Sequence, residues 1–269
     1  MSNALSNIFE GIAKNGFNTQ TIQMIDTYTI DIIYGTTNFY RFNLSEHAGF
    51  CCAGPLLIGA SIVASYAEAS LESSCNAPEG QGRPANWQID ELQEQLVEQW
   101  ARAKDTWIEN SEQLLIENFG EKIAQGAEAK VYYKENDIAV VKERASIYST
   151  TQKALDAIAL HNYLFPETAM RVTGFTRDSD GLFRIILTQP YVTCQRLATK
   201  AEIDEMALSK GFRDNWNGGG VNYISDRIAL EDMHPANVFI DAISNQPLCI
   251  DCIVKFITNP KYNNSESYQ

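Results

Sequence analysis

The sequence is poor in basic residues relative to acidic ones, and this imbalance argues against several classes of partner. It has 21 lysines and arginines against 34 aspartates and glutamates, which gives a formal net charge of −13. Because nucleic acids and anionic membranes are polyanions, this charge disfavours non-specific binding to either. We therefore expect no membrane partner and no nucleic-acid partner.

The sequence also lacks an uninterrupted hydrophobic run long enough to cross a bilayer. The most apolar window, residues 50–66, is broken by glycine, proline and serine, and no basic cluster flanks it. A membrane span needs ~20 apolar residues, so we predict a buried helix preceded by a loop. The chain is 45% hydrophobic and 20% charged, as expected for a globular protein with one or two cores.

The cysteines do not have the regular spacing of a disulfide framework. Six cysteines stand at irregular intervals and no cleavable signal peptide is recognisable, so we expect reduced thiols in a cytoplasmic protein. Cys249 and Cys252 have the spacing of a redox or zinc pair, but we interpret them as strand residues that flank Asp251. A thiol-redox or zinc module on this pair is an alternative interpretation.

Several polar side chains near the carboxyl end have the order that phosphate transfer from a nucleotide requires. Residues 232–237 read Asp-x-His-Pro-x-Asn, and Asp251 follows on a predicted neighbouring strand. This chemistry needs a carboxylate near the attacking hydroxyl, an amide oxygen on Mg²⁺, and a second carboxylate between metal and phosphates. We predict Asp232 as one catalytic residue, with Lys142 of an upstream strand as the other, and Asn237 and Asp251 as metal ligands. A structural turn capped by its own side chains is the alternative.

Two upstream segments could complete a nucleotide site. A small-residue turn containing Gly126 and Ala127 lies between predicted strands, where backbone N–H groups would approach phosphate oxygens. The next predicted strand is apolar except for Lys142, whose ammonium would lie in the cleft against the α and β phosphates. The alternative is a surface lysine on an edge strand.

The order of glycine loop, strand lysine, Asp-x-His-Pro-x-Asn and strand aspartate resembles the protein-kinase superfamily. Residues 125–132 and 141–144 are similar to the amino lobe of the small atypical kinase of the KEOPS tRNA-modification complex. Residues 232–238 are similar to the catalytic loop of aminoglycoside and choline phosphotransferases. Two further segments carry the likeness: 160–166 and 173–175. Over roughly 119–257, the chain most resembles the kinase-like domain of bacterial mobile-element polyvalent proteins.

The resemblance implies an α+β, protein-kinase-like two-lobed fold. The amino lobe, 119–192, would hold a small antiparallel sheet, and a reduced carboxyl lobe would span 193–257, before a polar tail at 258–269. Backbone groups of Gln189 and Tyr191 would form the hinge that hydrogen-bonds adenine. The implied cofactors are ATP and Mg²⁺, and the implied reaction phosphorylates a hydroxyl on a protein or a small molecule.

Residues 1–118 lie outside the resemblance. Apolar residues including Trp100 and Trp107 recur at helical spacing and predict an amphipathic helix over 88–109. Only 18 residues follow Asp251, whereas a kinase carboxyl lobe continues with several helices. We therefore expect a mostly helical extension that packs against residues 200–257 and covers its strands.

Departures from the kinase pattern leave two other functions open. The predicted helix at 150–164 has no glutamate to pair with Lys142, and its Asp156 is one carbon shorter. Asp251 is followed by Cys-Ile rather than Phe-Gly, and no activation segment ending in Ala-Pro-Glu follows. The alternatives are a pseudokinase that binds nucleotide as a scaffold, and a nucleotidyl transferase on a kinase-like fold.

Overall fold

A computed structural model describes most of the chain, as two compact units, Met1–Ala48 and Gly49–Gln269. The described residues are 29–34, 38–43, 48–74, 85–109, 111–126, 129–135, 137–145, 148–215, 223–226 and 228–256. In the first unit they form an antiparallel hairpin of β1 (Thr29–Tyr34) and β2 (Asn38–Asn43). Ala127 and the predicted tail at 258–269 lie outside the described residues.

Beyond this hairpin, three described helices precede most of the strands along the chain. The helices are α1 (Ala48–Ser74), α2 (Asn86–Ala103), α3 (Ser111–Phe119), α4 (Thr151–Leu164) and α5 (Lys200–Ser209), with 3₁₀ turns at Pro166–Thr168 and Pro235–Asn237. The strands are β3 (Glu121–Gln125), β4 (Ala129–Tyr133), β5 (Ala139–Ala145), β6 (Arg171–Arg177), β7 (Phe183–Pro190), β8 (Cys194–Leu197), β9 (Arg213–Asp214), β10 (Tyr223–Ile224), β11 (Ile228–Glu231), β12 (Val238–Asp241), β13 (Pro247–Cys249) and β14 (Ile253–Phe256).

Helix α1 contains the predicted buried helix. It breaks at Gly54, whose φ of 80° lies in the left-handed region that favours glycine. Pro55 follows the break, where the fixed φ of proline suits the first turn of a helix. Leu57, Ala60 and Ala64 are fully buried beyond it. No helix among the described residues is long and apolar enough to span a bilayer.

The amino lobe is built on an antiparallel sheet with strand order β3-β4-β5-β7-β6. The predicted hairpin of β6 and β7 is confirmed, with Phe175 opposite Ile185. Successive side chains of a strand point to opposite faces, so Lys142 of β5 faces away from Val141 and Glu143. Helix α3 covers the Val141 face through the fully buried Leu115.

Helix α2 packs against α4 and β6, both in the amino lobe. Trp100 lies edge-on to Phe175 of β6 with ring centroids 6.2 Å apart. Arg177, also of β6, pairs with two glutamates of α2 at 3.0 Å. The helix ends earlier than predicted because Asp105 takes a left-handed φ of 56°. Residues 106–108 then exchange backbone hydrogen bonds with Phe175 at the free edge of the sheet.

The carboxyl lobe has two small antiparallel sheets, with orders β13-β12-β8 and β14-β11-β10-β9. Their apolar side chains form one buried cluster with those of α4 and α5. Leu160 and Leu164 enter this cluster from the end of α4, and Ile203 and Met206 enter it from α5. These two helices therefore bury much of the lobe that we expected residues 1–118 to cover.

The expected packing of the amino-terminal helices on residues 200–257 is wrong for α2 and α3. Both helices pack on the amino lobe, α2 on α4 and β6, and α3 on β4 and β5. The physical reason is that the apolar stripe through Trp100 finds its partner at the exposed edge of the amino-lobe sheet. Nothing in a single amphipathic pattern specifies which of two apolar surfaces it will cover.

Candidate active site

Lys142 and Asp251, far apart in the sequence, meet between the two lobes. The Lys142 Nζ lies 3.8 Å from Asp251 Oδ2 and donates a 2.9 Å hydrogen bond to the carbonyl of Ile250. Lys142 is only 5% exposed, so the alternative of a surface lysine is excluded. The predicted cleft lysine and the predicted strand aspartate therefore share one site, although Asp251 lies in the short connection between β13 and β14 rather than on a strand.

Gln189 holds the two lobes in this arrangement. It is 2% exposed, and its amide Nε2 donates to Thr168 O at 2.7 Å and to Ile250 O at 3.1 Å. The Ile250 carbonyl thus accepts hydrogen bonds from both Gln189 and Lys142. Since buried polar groups are costly when unpaired, this shared acceptor fixes the position of the chain next to Asp251.

The two charged partners respond differently to their surroundings. Burial lowers the pKa of Lys142, and the attraction of Asp251 only partly offsets it. Burial raises the pKa of Asp251, but neighbouring charges, chiefly those of Lys142 and Arg144, together with a hydrogen bond from the Cys252 N–H, outweigh it, so this pKa lies below its ordinary value. The difference arises because the carboxylate faces two cations, whereas the ammonium faces one anion and a neighbouring cation. Asp251 is therefore anionic at neutral pH.

Arg144 is a member of the site to which the sequence analysis assigned no role. Its Nη1 lies 3.6 Å from Asp251 Oδ1, and the residue is buried. The sequence could have identified Arg144, because side chains two residues apart in a strand point to the same face of the sheet. Arg144 must therefore face the same side as Lys142.

The predicted catalytic loop is a compact hydrogen-bonded turn. The Asn237 Nδ2 donates to both the carbonyl and the Oδ2 of Asp232, each at 2.9 Å. The His234 Nε2 lies 3.3 Å from Asp232 Oδ1, and its Nδ1 accepts from Ala236 N–H at 3.2 Å. This pattern assigns the ring proton to Nε2, as expected of a histidine that braces the loop.

The Asp232 carboxylate is directed by backbone geometry as well as by hydrogen bonds. Asp232 has φ of 60°, a left-handed conformation that is uncommon for a residue with a side chain. Its side chain is 47% exposed, so a substrate hydroxyl could reach it. The loop has both hydrogen bonds from its own side chains and an accessible carboxylate. The motif can therefore be a self-capped turn and a catalytic loop at the same time.

The predicted metal ligands are neighbours through their backbones. Ile250 N–H donates to Asn237 O at 2.9 Å, and the adjoining strands β12 and β13 are paired with Val238 opposite Cys249. Because the Asn237 Nδ2 bonds Asp232, its Oδ1 is directed away from that carboxylate. Carboxylate and amide oxygens are hard ligands that suit Mg²⁺, so Asn237 and Asp251 fit this ion chemically.

The glycine turn connects β3 and β4. Gly126 N–H donates to Ala129 O at 2.9 Å and closes the hairpin. A Cβ built on Gly126 would meet nothing within 4 Å, so the protein itself does not require glycine there. Open space at this backbone is what the close approach of a phosphate would need.

Backbone groups of the predicted hinge residues, Gln189 and Tyr191, already have partners within the protein. Tyr191 N–H already donates to Ile138 O at 2.9 Å, and Gln189 pairs with Val140 in the sheet. Because strand residues alternate in direction, the carbonyl of Pro190, the last residue of β7, points away from β5. The adenine contacts expected of Gln189 and Tyr191 stay a prediction.

Helix α4 supplies no acidic partner for Lys142 in the described structure. Asp156 accepts a hydrogen bond from Gln152 Nε2 at 2.8 Å, and Gln152 in turn accepts one from Ser65 of α1 at 3.0 Å. Lys142 instead uses Asp251 and a backbone carbonyl. A cavity of about 790 Å³, lined by Lys130 and Glu143, lies on the opposite face of the sheet and is separate from this site.

This arrangement, a small antiparallel lobe joined to a lobe that carries an Asp-x-His-Pro-x-Asn loop, defines a kinase-like phosphotransferase. Residues 90–258 match the family described as "Serine/Threonine/Tyrosine Kinase found in polyvalent proteins". The match covers more than half of the chain and begins within α2. The chain belongs to this family, which confirms the likeness to polyvalent proteins. No curated protein matches the chain.

Proposed function

We propose that the chain transfers the γ-phosphoryl group of ATP, with Mg²⁺, to a hydroxyl on a protein or a small molecule. The observation that carries the proposal is the 3.8 Å approach of Lys142 to Asp251 across the two lobes. A structural turn at Asp232 would not require a buried ammonium beside a carboxylate. A nucleotide site uses both groups.

Each described side chain has a role in this proposal. Lys142 would donate hydrogen bonds to phosphate oxygens, exchanging its contact with the Ile250 carbonyl for a more negative acceptor. Asp232 would accept a hydrogen bond from the substrate hydroxyl and align its oxygen for attack. His234 and Asn237 would keep the Asp232 carboxylate in that orientation.

Asn237 and Asp251 would hold Mg²⁺, which when bound neutralises charge on the phosphates. Arg144 and Lys142 already lower the pKa of Asp251, so the carboxylate needs no deprotonation before it binds a cation. The open backbone at Gly126 would contact phosphate oxygens. These contributions are positioning and charge neutralisation, which dominate catalysis of phosphoryl transfer.

The acceptor is expected to be a hydroxyl compound or a protein side chain rather than a nucleic acid. The net charge of −13 would repel a polyanionic substrate. The free, buried thiols of Cys249 and Cys252 suit a reducing compartment and support a cytoplasmic location.

The proposal is tested with ATP labelled separately on the γ and α phosphates, Mg²⁺, and a mixture of protein and small-molecule acceptors. We expect transfer of the γ label only. The Asp232→Asn variant should lose most turnover with nearly unchanged ATP affinity, and Asp251→Asn should lose Mg²⁺-dependent affinity. Asp180→Asn, the same substitution at an exposed hairpin residue, is the matched control.

The other outcomes identify the alternatives. Nucleotide binding without transfer of either label would indicate a pseudokinase scaffold, which the lack of an α4 glutamate beside Lys142 would explain. Transfer of the α label would indicate a nucleotidyl transferase. Equal activity of Asp232→Asn and Asp251→Asn with the parent would end the assignment of both residues.

A further inference from the structure

A buried group of soft donor atoms lies directly behind Asp251. Cys249, Cys252 and His161 bring two sulfurs and one ring nitrogen within 4.8 Å of one another, and all three residues are buried. The Cys252 Sγ lies 3.7 Å from His161 Nδ1. The spacing of the two cysteines is visible in the sequence, whereas His161 lies on α4, far from them along the chain.

The histidine is oriented as a metal ligand would be. Its Nε2 lies 3.2 Å from the carbonyl of Thr168, which can only accept, so the ring proton lies on Nε2. The lone pair of Nδ1 is therefore available to the Cys252 sulfur, 3.7 Å away. Metal-bound histidines are commonly fixed in this way, by donation from the second nitrogen to a backbone carbonyl.

One donor distance has the value expected for tetrahedral coordination of zinc, and all three donors lie within 4.8 Å of one another. Zinc lies about 2.3 Å from sulfur and about 2.0 Å from nitrogen, which separates neighbouring donors by about 3.6 Å. The sulfur-to-nitrogen distance of 3.7 Å already satisfies this. A fourth donor is available in the fully buried Met233, whose Sδ lies 3.7 Å from the Cys249 Sγ. Thioether sulfur is a soft ligand of the same class.

Charge decides which ion suits the site. Two thiolates and a neutral imidazole carry a charge of −2, so a divalent ion makes the buried site neutral, whereas a monovalent ion would leave a buried anion. The donors are also soft, unlike the oxygen ligands that suit Mg²⁺. We propose that Cys249, Cys252 and His161 bind a structural Zn²⁺ ion, with Met233 beside them as the fourth donor.

Zinc binding would displace two thiol protons. In the described structure the Cys249 thiol donates to Asp251 O at 3.1 Å, and the Cys252 thiol lies against His161 Nδ1. Both protons would leave to solvent as the metal binds, with no change of oxidation state. The ion would join the end of α4 to the cysteines on both sides of Asp251, and so hold the amino lobe against the carboxyl lobe.

The test is metal analysis of the full chain, purified under reducing conditions without chelator. We expect about one Zn²⁺ per chain. Because the site is buried, the protein is also unfolded with chelator and refolded with Co²⁺, which reports thiolate ligation by an intense near-ultraviolet charge-transfer band. Both signals should be lost in Cys252→Ser and His161→Gln, and kept in Cys194→Ser, which alters an exposed cysteine outside the site.

The parent protein alone can overturn the proposal, so it does not depend on the folding of any variant. The proposal is wrong if the reduced, folded parent contains no zinc and, after refolding with Co²⁺, shows no charge-transfer band. The three side chains would then be joined only by hydrogen bonds. A Cys249–Cys252 disulfide found by mass spectrometry would exclude the metal site too. None of these readouts depends on phosphoryl transfer, so the proposed function and the zinc site can fail separately.

Discussion

Replacing Asp90 by alanine tests whether α2 supports the amino lobe. Asp90 lies on α2, and its Oδ1 accepts two hydrogen bonds from the first residue of α4: 2.6 Å from Thr151 N and 2.8 Å from Thr151 Oγ1. The first N–H groups of a helix have no partner within the helix. Here they are satisfied by another helix, since Gln93 of α2 also accepts from Gln152 N–H at 2.9 Å.

The expected loss follows from these contacts. Removing a side-chain cap costs about 1 kcal/mol, and a hydrogen bond to a charged acceptor contributes about 1.5–3 kcal/mol. The Asp90 carboxylate also lies at the positive end of the α4 dipole, but it is partly exposed, which weakens that contribution. We expect a loss of about 2 kcal/mol, which for a unit of this size lowers Tm by about 4–8 °C.

The assay is thermal unfolding followed by circular dichroism, with Glu91→Ala as the matched control. Glu91 is the next residue of α2, carries the same charge and is exposed, so its removal should change Tm by less than about 2 °C. Equal Tm values for Asp90→Ala and Glu91→Ala would refute the idea that α2 caps α4. Asp90→Asn should lie between parent and Asp90→Ala, because the amide oxygen can still accept.

Two further substitutions test burial and packing. Burial raises the pKa of Asp156 to about 6, above the unfolded value of ~3.9, so its contribution to stability is complete below pH 4 and is lost as pH rises through 6. The free energy of unfolding of Asp156→Asn, measured in urea, should therefore equal that of the parent near pH 4 and exceed it by at most ~3 kcal/mol at pH 8. Equal free energies of unfolding at pH 8 would contradict this. In α1, a Cβ on Gly59 would lie 2.3 Å from the Trp100 ring, so Gly59→Ala should destabilise by about 1–3 kcal/mol. Gly126→Ala, where the Cβ meets nothing, is its control, and equal unfolding midpoints for the two variants would contradict the packing of α1 on α2.

The sequence by itself determined the local elements and the order of the site residues. The β6–β7 hairpin was predictable because its turn and its alternating strands are local signals, and the limits of α4 were predictable from its apolar spacing and Pro166. The pairing of Lys142 with Asp251 was predictable through the resemblance, because a cleft lysine and a strand aspartate are parts of one recognised arrangement.

Only the tertiary structure decided which surfaces and side chains meet across the fold. The stripe through Trp100 is equally apolar whichever lobe it covers, and its partner is set by the exposed edge at β6. His161 joins Cys249 and Cys252 because α4 crosses behind Asp251, and no spacing in the sequence records that crossing. Periodicity specifies which face of an element is buried, whereas the choice of neighbour depends on the packing of the whole chain.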